Sequence, residues 1–149
     1  MKERNFKAYI SGALTGLSKD SNMKEFYEKV AEIVDLVLGI GTAYVPHKHT
    51  DPIKDPDITP EEVYRVDKGR VCESDIVIAY VGIPSLGVGA ELEMANSKNI
   101  PILLLYRKGE KVSRLPRGME SVKGLFEYTN EEDALNWVEH KLKELMFTK

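Results

Sequence analysis

Short apolar runs alternate with amphipathic stretches along most of the chain. Four of the apolar runs, residues 7–11, 42–45, 75–81 and 100–106, are predicted to be β-strands. The last two are almost continuously apolar, which is typical of strands buried on both faces of a parallel sheet. A weaker run, residues 125–128, predicts an edge strand.

Four stretches between these runs have helical periodicity. Residues 22–38, 88–98 and 130–147 repeat apolar side chains at helical spacing. Another helix is predicted to begin at Pro60, after the capping residue Thr59, and to run towards residue 74. The intervening loop, residues 47–58, is polar and long enough to predict a functional flap, and its side chains and the first helix are expected to wall a ligand pocket.

This order of elements predicts an α/β fold in a single domain, residues 1–149. We expect a flavodoxin-like or Rossmann-like, doubly wound and mainly parallel sheet of about five strands with flanking helices. Such sheets bind ligands where the strand order reverses, at the carboxyl ends of the strands. In a flavodoxin-like order that point lies between the first and third strands, so the loops after Ser11 and Val81 are predicted to meet.

Composition narrows the function classes. With 149 residues, 42% hydrophobic and 30% charged, the chain has the composition of a soluble globular domain. The net charge of −3 argues against a general nucleic-acid binder. No apolar run approaches 18 residues, so no membrane partner is expected, and the single cysteine, Cys72, fits a cytoplasmic location.

Two loops of small residues follow the first and third strands. The first consists of Ser11, Gly12, Ala13, Leu14, Thr15 and Gly16. Its amides and hydroxyls suit a phosphate or a sugar, but the same glycines suit a plain strand-to-helix turn, and spacing alone leaves both interpretations open. The second loop contains Ser85, Gly87 and Gly89, and the free amides at a helix start favour a phosphate there.

Glu91 follows the second loop, in the predicted first turn of the next helix. It is either a partner of the helix dipole or a nucleophile aimed at a bound sugar. Glu93 is two positions further on and therefore faces nearly the opposite way, so the two carboxylates cannot act as a pair. We expect Glu91 to face the site and Glu93 to face solvent.

His47, His49 and Asp51 resemble metal ligands at first sight. Their spacing is loose and no other histidine is close in sequence, so a solvated loop is the expectation, with neither metal nor cofactor. Asp75, at the junction of the second helix and third strand, is by itself only a polar residue at the start of a strand.

Three of these elements together resemble the nucleoside 2-deoxyribosyltransferase superfamily, and most closely its 2′-deoxynucleoside 5′-phosphate N-hydrolases. The most specific is Pro-Ser-Leu-Gly-Val-Gly-x-Glu, residues 84–91. The others are Tyr-x-x-Gly, which begins at Tyr9, and an aspartate before an apolar strand, Asp75. The likeness covers residues 9–106.

The resemblance implies a site and a chemistry. Glu91 would be the nucleophile that attacks the anomeric carbon of a 2-deoxyribosyl group, as in a retaining glycosidase. Tyr9 would hydrogen-bond Glu91 and orient it, and Asp75 would bind the sugar or manage the proton on the departing base. The two small-residue loops would hold the 5′-phosphate of a deoxynucleoside monophosphate.

The resemblance also implies a homodimer in which the partner subunit supplies a serine to the phosphate site, and Ser121 is the candidate. Related hydrolases carry an arginine at the position of Thr15, so this chain lacks a full charge there. Lys19, or the partner's Lys123, could take over that task.

Three functions therefore remain. The first is hydrolysis of deoxynucleoside 5′-monophosphates to free base and 2-deoxyribose 5-phosphate through a covalent intermediate on Glu91. The second is a nucleoside 2-deoxyribosyltransferase that exchanges bases. The third is a nucleotide-binding module without catalysis, against which the joint presence of Tyr9, Asp75 and Glu91 argues.

Overall fold

Five parallel strands form one sheet in the computed structural model, which describes residues 5–15, 17 and 22–147. The strands are β1 (Ala8–Ser11), β2 (Ala43–Tyr44), β3 (Ile76–Tyr80), β4 (Ile102–Arg107) and β5 (Val122–Tyr128). Their spatial order is β2-β1-β3-β4-β5, and each neighbouring pair is parallel. This order confirms the doubly wound, flavodoxin-like fold predicted from the alternation of elements.

Within the described residues, five helices connect or flank the strands. They are α1 (Met23–Leu38), α2 (Pro60–Cys72), α3 (Leu86–Ser97), the short α4 (Arg114–Arg117) and α5 (Glu131–Phe147), and a 3-10 turn spans Pro46–Lys48. The predicted cap of α2 is present, since the Thr59 hydroxyl accepts a hydrogen bond from the Glu62 amide at 3.2 Å. Such a cap contributes about 1 kcal/mol.

The sheet separates two apolar cores. Alternate residues of the strands face opposite sides, so Ile10 and Ile78 pack with α1 and α5, whereas Tyr9 and Val77 pack with α2 and α3. Tyr9 is fully buried on the second side. The fold therefore directs the side chain of Tyr9 towards the same layer that carries α3.

Several element boundaries differ from the predictions. Helix α3 begins at Leu86, two residues before the predicted start, because Ser85 caps it: the Ser85 hydroxyl accepts from the Val88 amide at 3.3 Å. Glu91 consequently lies in the second turn of α3. The short α4 forms between β4 and β5, where no helix was predicted, and β5 extends over seven residues at the sheet edge.

None of the helices in the described ranges has the length and apolarity that a membrane span requires.

Candidate active site

The loops after β1 and β3 meet at one edge of the sheet, as the sequence predicts. Ser11, the last residue of β1, pairs with Ala79 near the end of β3, so the two chains leave the sheet side by side. A cavity of about 540 Å³ opens at this point. Its walls come from both loops, from α2 and α3, and from the segment between β2 and α2.

Glu91 projects from α3 into this cavity. Its Oε1 accepts a hydrogen bond from Ser11 Oγ at 3.2 Å, whereas its Oε2 is buried and has no partner among the described residues. Burial raises the pKa of Glu91 to about 7; the Tyr9 hydroxyl opposes this shift, the charge of Asp67 adds to it, and Ser11 opposes it. A carboxylate that is poorly solvated and aimed at a cavity is a reactive one.

Tyr9 lies beside Glu91 beneath the cavity. Burial first, and then the Glu91 charge, raise the pKa of Tyr9 far above its ordinary value, so its phenol is neutral and can only serve Glu91 as a donor. In the structure the Tyr9 hydroxyl is buried and makes no hydrogen bond within the described residues. The Tyr9 hydroxyl therefore does not make the hydrogen bond to Glu91 that the resemblance implies, although the two groups interact electrostatically.

Asp67 of α2 is another carboxylate at this site, beside Glu91, and it was not predicted from the sequence. Asp67 lines the cavity, and its Oδ1 is buried with no partner in the part of the chain that is described. Burial raises the pKa of Asp67 to about 6, while the nearby Thr50 hydroxyl lowers it. The charge of Asp67 acts on both Tyr9 and Glu91, so the three groups form one electrostatic unit.

The sequence does contain a signal for Asp67. Val63, Asp67 and Val71 are four residues apart and so share one face of α2. Val71 is fully buried, which makes that face the inward one. An ionisable residue on the buried stripe of a helix is a candidate for function because its burial must be compensated by a partner or a ligand.

The structure does not bring Asp75 to the cavity, so the prediction that Asp75 belongs to the site is wrong. Asp75 precedes β3, and its Oδ2 accepts a hydrogen bond from the Lys7 amide at 2.9 Å, before the start of β1. It therefore lies at the amino edge of the sheet. The five residues of β3 separate it from the opposite, carboxyl edge by about 16 Å.

The first loop contributes to the cavity in part. Gly12, Leu14 and Thr15 line it, whereas Ala13 is buried and its carbonyl accepts a hydrogen bond from Tyr27 Oη at 3.1 Å. A side chain at Gly12 would collide with the Tyr27 ring, so this glycine is required by packing. Gly16 and Lys19 lie outside the described residues.

The second loop is shorter than predicted because α3 starts early. Ser85 and Gly87 line the cavity, and Gly89, inside the helix, does not. The Ser85 side chain and carbonyl accept from the amides of Val88 and Gly89. The amides at the very start of the helix, such as that of Gly87, are left to bind an anion.

Ser121, the candidate for the partner's serine, is largely buried within its own subunit. It lies just before β5, is 5% exposed, and its Oγ donates to the Asn96 carbonyl at 3.4 Å. The Ser121 hydroxyl is thus engaged within its own subunit, which argues against Ser121 as the serine supplied to a partner's phosphate site. Lys123 is exposed, and its Nζ donates to the Glu120 carbonyl at 3.2 Å.

The histidines of the loop after β2 have other partners. His47 Nε2 lies 3.1 Å from Glu28 Oε1, and the His49 ring stacks on Tyr44. Asp51 is buried and pairs with Lys24 at 2.6 Å, which anchors the loop to α1. Among the described residues, no group of three or more acidic, histidine or cysteine side chains is arranged to hold a metal.

The cavity walls are largely apolar above the carboxylates. The loop supplies Ile58, α2 supplies Val63 and Tyr64, and α3 supplies Met94. The expectation that α1 forms a wall is wrong, because α1 packs on the other side of the sheet. A flat apolar group such as a nucleobase fits walls of this composition.

Known proteins resemble this chain along most of its length, although no protein-family model matches it. A relative from Thermofilum pendens, curated as "Putative 2'-deoxynucleoside 5'-phosphate N-hydrolase 1", is 32% identical over 116 residues, which cover 76% of this chain and 78% of the relative. Matches to other curated relatives of that name cover between 38% and 87% of their lengths.

Solved structures have the same fold. The CMP N-glycosidase BcmB from Clostridium botulinum superposes with a TM-score of 0.63 at 18% identity, covering 89% of this chain and 98% of that one. A 2-deoxyribosyltransferase from Bacillus psychrosaccharolyticus superposes with a TM-score of 0.62 at 19% identity, covering 87% and 90%. With the curated relatives, these neighbours confirm the resemblance found in the sequence: the chain belongs to the 2′-deoxynucleoside 5′-phosphate N-hydrolase family of the nucleoside 2-deoxyribosyltransferase superfamily, and it is an enzyme of the N-glycosidase type.

Proposed function

We propose that this enzyme hydrolyses the N-glycosidic bond of 2′-deoxynucleoside 5′-monophosphates. The observation that carries the proposal is the state of Glu91: one carboxylate oxygen is held by Ser11, and the other is buried beside the cavity with no partner in the part of the chain that the structure describes. The names of the curated relatives support the substrate class.

In the first step, a Glu91 oxygen attacks the anomeric carbon as the bond to the base breaks. The base takes the bonding electron pair, and a proton from Asp67 neutralises it. Asp67 takes one of the two roles that the family resemblance implied for Asp75, management of the proton on the departing base, because Asp67 lines the cavity with Glu91. The product of this step is a 2-deoxyribosyl ester of Glu91.

In the second step, water attacks the same carbon. Asp67 accepts a proton from the water, and the bond to the Glu91 oxygen breaks, which regenerates the carboxylate and releases 2-deoxyribose 5-phosphate. If a free base attacked in place of water, the product would be a new deoxynucleotide. Tyr9 would orient Glu91 throughout.

The phosphate would lie between the loop residues 12–15 and the start of α3, where Ser85 and Gly87 line the cavity. Among the described residues, the cavity walls contain three carboxylates, Asp55, Asp67 and Glu91, and one ammonium, Lys68, so in that part of the chain backbone amides would have to carry most of the phosphate binding. Position 15 is a threonine, where related hydrolases carry an arginine, and this also lowers the positive charge available to a phosphate. This charge balance favours a second candidate substrate, an unphosphorylated deoxynucleoside, as for a deoxyribosyltransferase.

Chromatography of free base from matched substrates tests the proposal. Each base is offered as deoxynucleoside monophosphate, deoxynucleoside and ribonucleoside monophosphate, with and without a second base as acceptor. The proposal expects base release to be fastest from the deoxynucleotide and unchanged by the acceptor. Equal rates with the deoxynucleoside would replace the proposal with a transferase or a nucleosidase, and acceptor-dependent formation of a new nucleoside would identify the transferase. Base release that is fastest from the ribonucleotide would contradict the 2-deoxy specificity.

A further inference from the structure

Tyr44 of β2 occupies an unusual position behind the candidate active site. Its ring stacks on the Tyr9 ring, with the centroids 5.7 Å apart. It also stacks on the His49 ring, with the centroids 4.6 Å apart. The Arg70 guanidinium of α2 lies 4.7 Å from the centroid of the same ring. Three elements therefore fix the orientation of a tyrosine that does not itself line the cavity.

The hydroxyl of Tyr44 is buried and makes no hydrogen bond to any described residue. The same is true of Tyr9 Oη, Asp67 Oδ1 and Glu91 Oε2. Buried polar atoms without partners are rare in proteins, and four of them in one cluster call for an explanation. Two of these atoms are hydroxyl donors and two are carboxylate acceptors, so the set can satisfy itself in pairs.

The position of Arg70 indicates which groups face one another. Arg70 follows Asp67 by three residues on α2, so the two share one side of the helix, and the Arg70 guanidinium lies over the Tyr44 ring. The electrostatics agree with this placement. Burial raises the pKa of Tyr44, the charge of Asp67 raises it further, Arg70 opposes the shift, and the charge of Glu91 adds a smaller increase. Tyr9 instead senses Glu91 more strongly than Asp67. The pairing that follows is Tyr9 with Glu91 and Tyr44 with Asp67.

We propose that Tyr44 is a positioning residue for Asp67, to which its hydroxyl donates a hydrogen bond directly or through one buried water. This inference rests on the proposed function, in which Asp67 moves the proton of the departing base. The hydrogen bond holds the Asp67 carboxylate in one orientation and stabilises its ionised form. Tyr44 thus orients the acid–base group, Asp67, as Tyr9 orients the nucleophile, Glu91.

The charged and titratable groups around Asp67 come from every element packed against it. They are Tyr9 from β1, Tyr44 from β2, Glu91 from α3, and Lys68 and Arg70 from its own helix, with Asp55 across the cavity. Of these, only the hydroxyls of Tyr9 and Tyr44 are buried donors without a partner in the described ranges. Removing the Tyr44 hydroxyl alone therefore isolates its effect on Asp67.

Tyr44→Phe tests the inference, because it removes one oxygen and retains the ring stack. The carboxyl carbon of Asp67 is titrated by NMR in the free enzyme, so this reading needs no substrate. We expect the pKa of Asp67 to rise by about one unit, the size of effect that a hydrogen bond to a charged group supports. The matched control is Tyr106→Phe, whose hydroxyl donates to Glu127 at 2.9 Å outside the cavity, and it should leave Asp67 unchanged.

Kinetics give a second reading. Tyr44→Phe should lower kcat about tenfold and change KM less than twofold, since Tyr44 does not touch the cavity. In an Asp67→Asn background, Tyr44→Phe should have no further effect on kcat. An unchanged Asp67 titration in a folded Tyr44→Phe variant would overturn the inference. Failure of the wild-type enzyme to release base would instead overturn the proposed function and leave the titration valid.

Discussion

Ser11 donates a hydrogen bond to Glu91 over 3.2 Å although 80 positions separate them in the chain. Ser11 ends β1, and Glu91 lies in the second turn of α3, which follows the neighbouring strand β3. The parallel pairing of β1 and β3 is what brings the two side chains together. One carboxylate oxygen is thereby held in place while the other remains unpaired among the described residues.

The first prediction concerns the two glutamates of α3. Glu91→Gln removes the nucleophile and keeps the shape of the side chain, so base release should fall by about a thousandfold or more, with substrate binding nearly unchanged. Glu93→Gln is the matched control, because Glu93 is exposed and does not line the cavity. Steady-state rates and binding by calorimetry measure both effects; equal losses in the two variants would disprove the assignment.

The second prediction is the pH dependence of kcat/KM. Glu91 must be ionised to attack, and its pKa is raised from the ordinary 4.5 to about 7. Base release in the proposed mechanism also needs a proton on Asp67, whose pKa is raised to about 6, so kcat/KM should fall both below about pH 6 and above about pH 7. Asp67→Asn removes that requirement, so the residual activity of this variant should follow the ionisation of Glu91 alone and should no longer fall at high pH. If the acidic limb of the wild-type pH profile were centred near 4.5, Glu91 would be well solvated and the prediction would be wrong.

The third prediction concerns stability. Because the pKa of Glu91 is higher in the folded protein than in the unfolded chain, the folded state binds the extra proton between pH 4.5 and about 7. The contribution of this group to stability is complete below pH 4.5 and is lost as the pH rises through about 7. Glu91→Gln has no such loss, so it should be more stable than the wild type by about 2–3 kcal/mol at pH 8 and similar to it at pH 4. Denaturant unfolding at the two pH values measures the difference, and a variant less stable at pH 8 would contradict it.

The fourth prediction separates packing from function at two glycines. Gly12→Ala would force a methyl group into the Tyr27 ring, so it should destabilise the protein by about 1–3 kcal/mol. Gly89→Ala has free space around the new carbon and lies inside α3, so it should stabilise the protein by up to about 1 kcal/mol. Thermal melting compares them. A loss of activity in Gly89→Ala without a loss of stability would return Gly89 to the phosphate site.

The sequence was sufficient for the fold because each strand and helix carries its own local pattern. The continuous apolar runs at Ile76–Tyr80 and Ile102–Arg107 indicate central parallel strands, and Thr59 and Pro60 mark the start of α2. Boundaries were less accurate where a single side chain decides them. Ser85 caps α3 and extends it backward by two residues, which moves Glu91 from the first turn to the second.

The candidate site was only partly predictable, because its composition depends on which edge of the sheet each residue occupies. Asp75 precedes its strand and so lies at the amino edge, away from ligands, a consequence of chain direction alone. Asp67 lines the cavity and Tyr44 lies behind it. Both positions depend on contacts between elements that are distant in sequence, such as the stacking of Tyr44 on Tyr9 and of Arg70 on Tyr44. Periodicity marks the inward face on which Asp67 lies, but it does not identify what that face meets.

The central claim, that Glu91 forms a covalent bond to the sugar, is tested most directly by trapping the intermediate. The enzyme is mixed with a deoxynucleoside monophosphate that carries fluorine at C2′ to slow the second step, then denatured and examined by intact-protein and peptide mass spectrometry. The mechanism predicts a mass increase of one fluorinated deoxyribosyl phosphate on the peptide that contains Glu91, and no such increase in Glu91→Gln. Release of the base without any adduct, or an adduct on another residue, would contradict it.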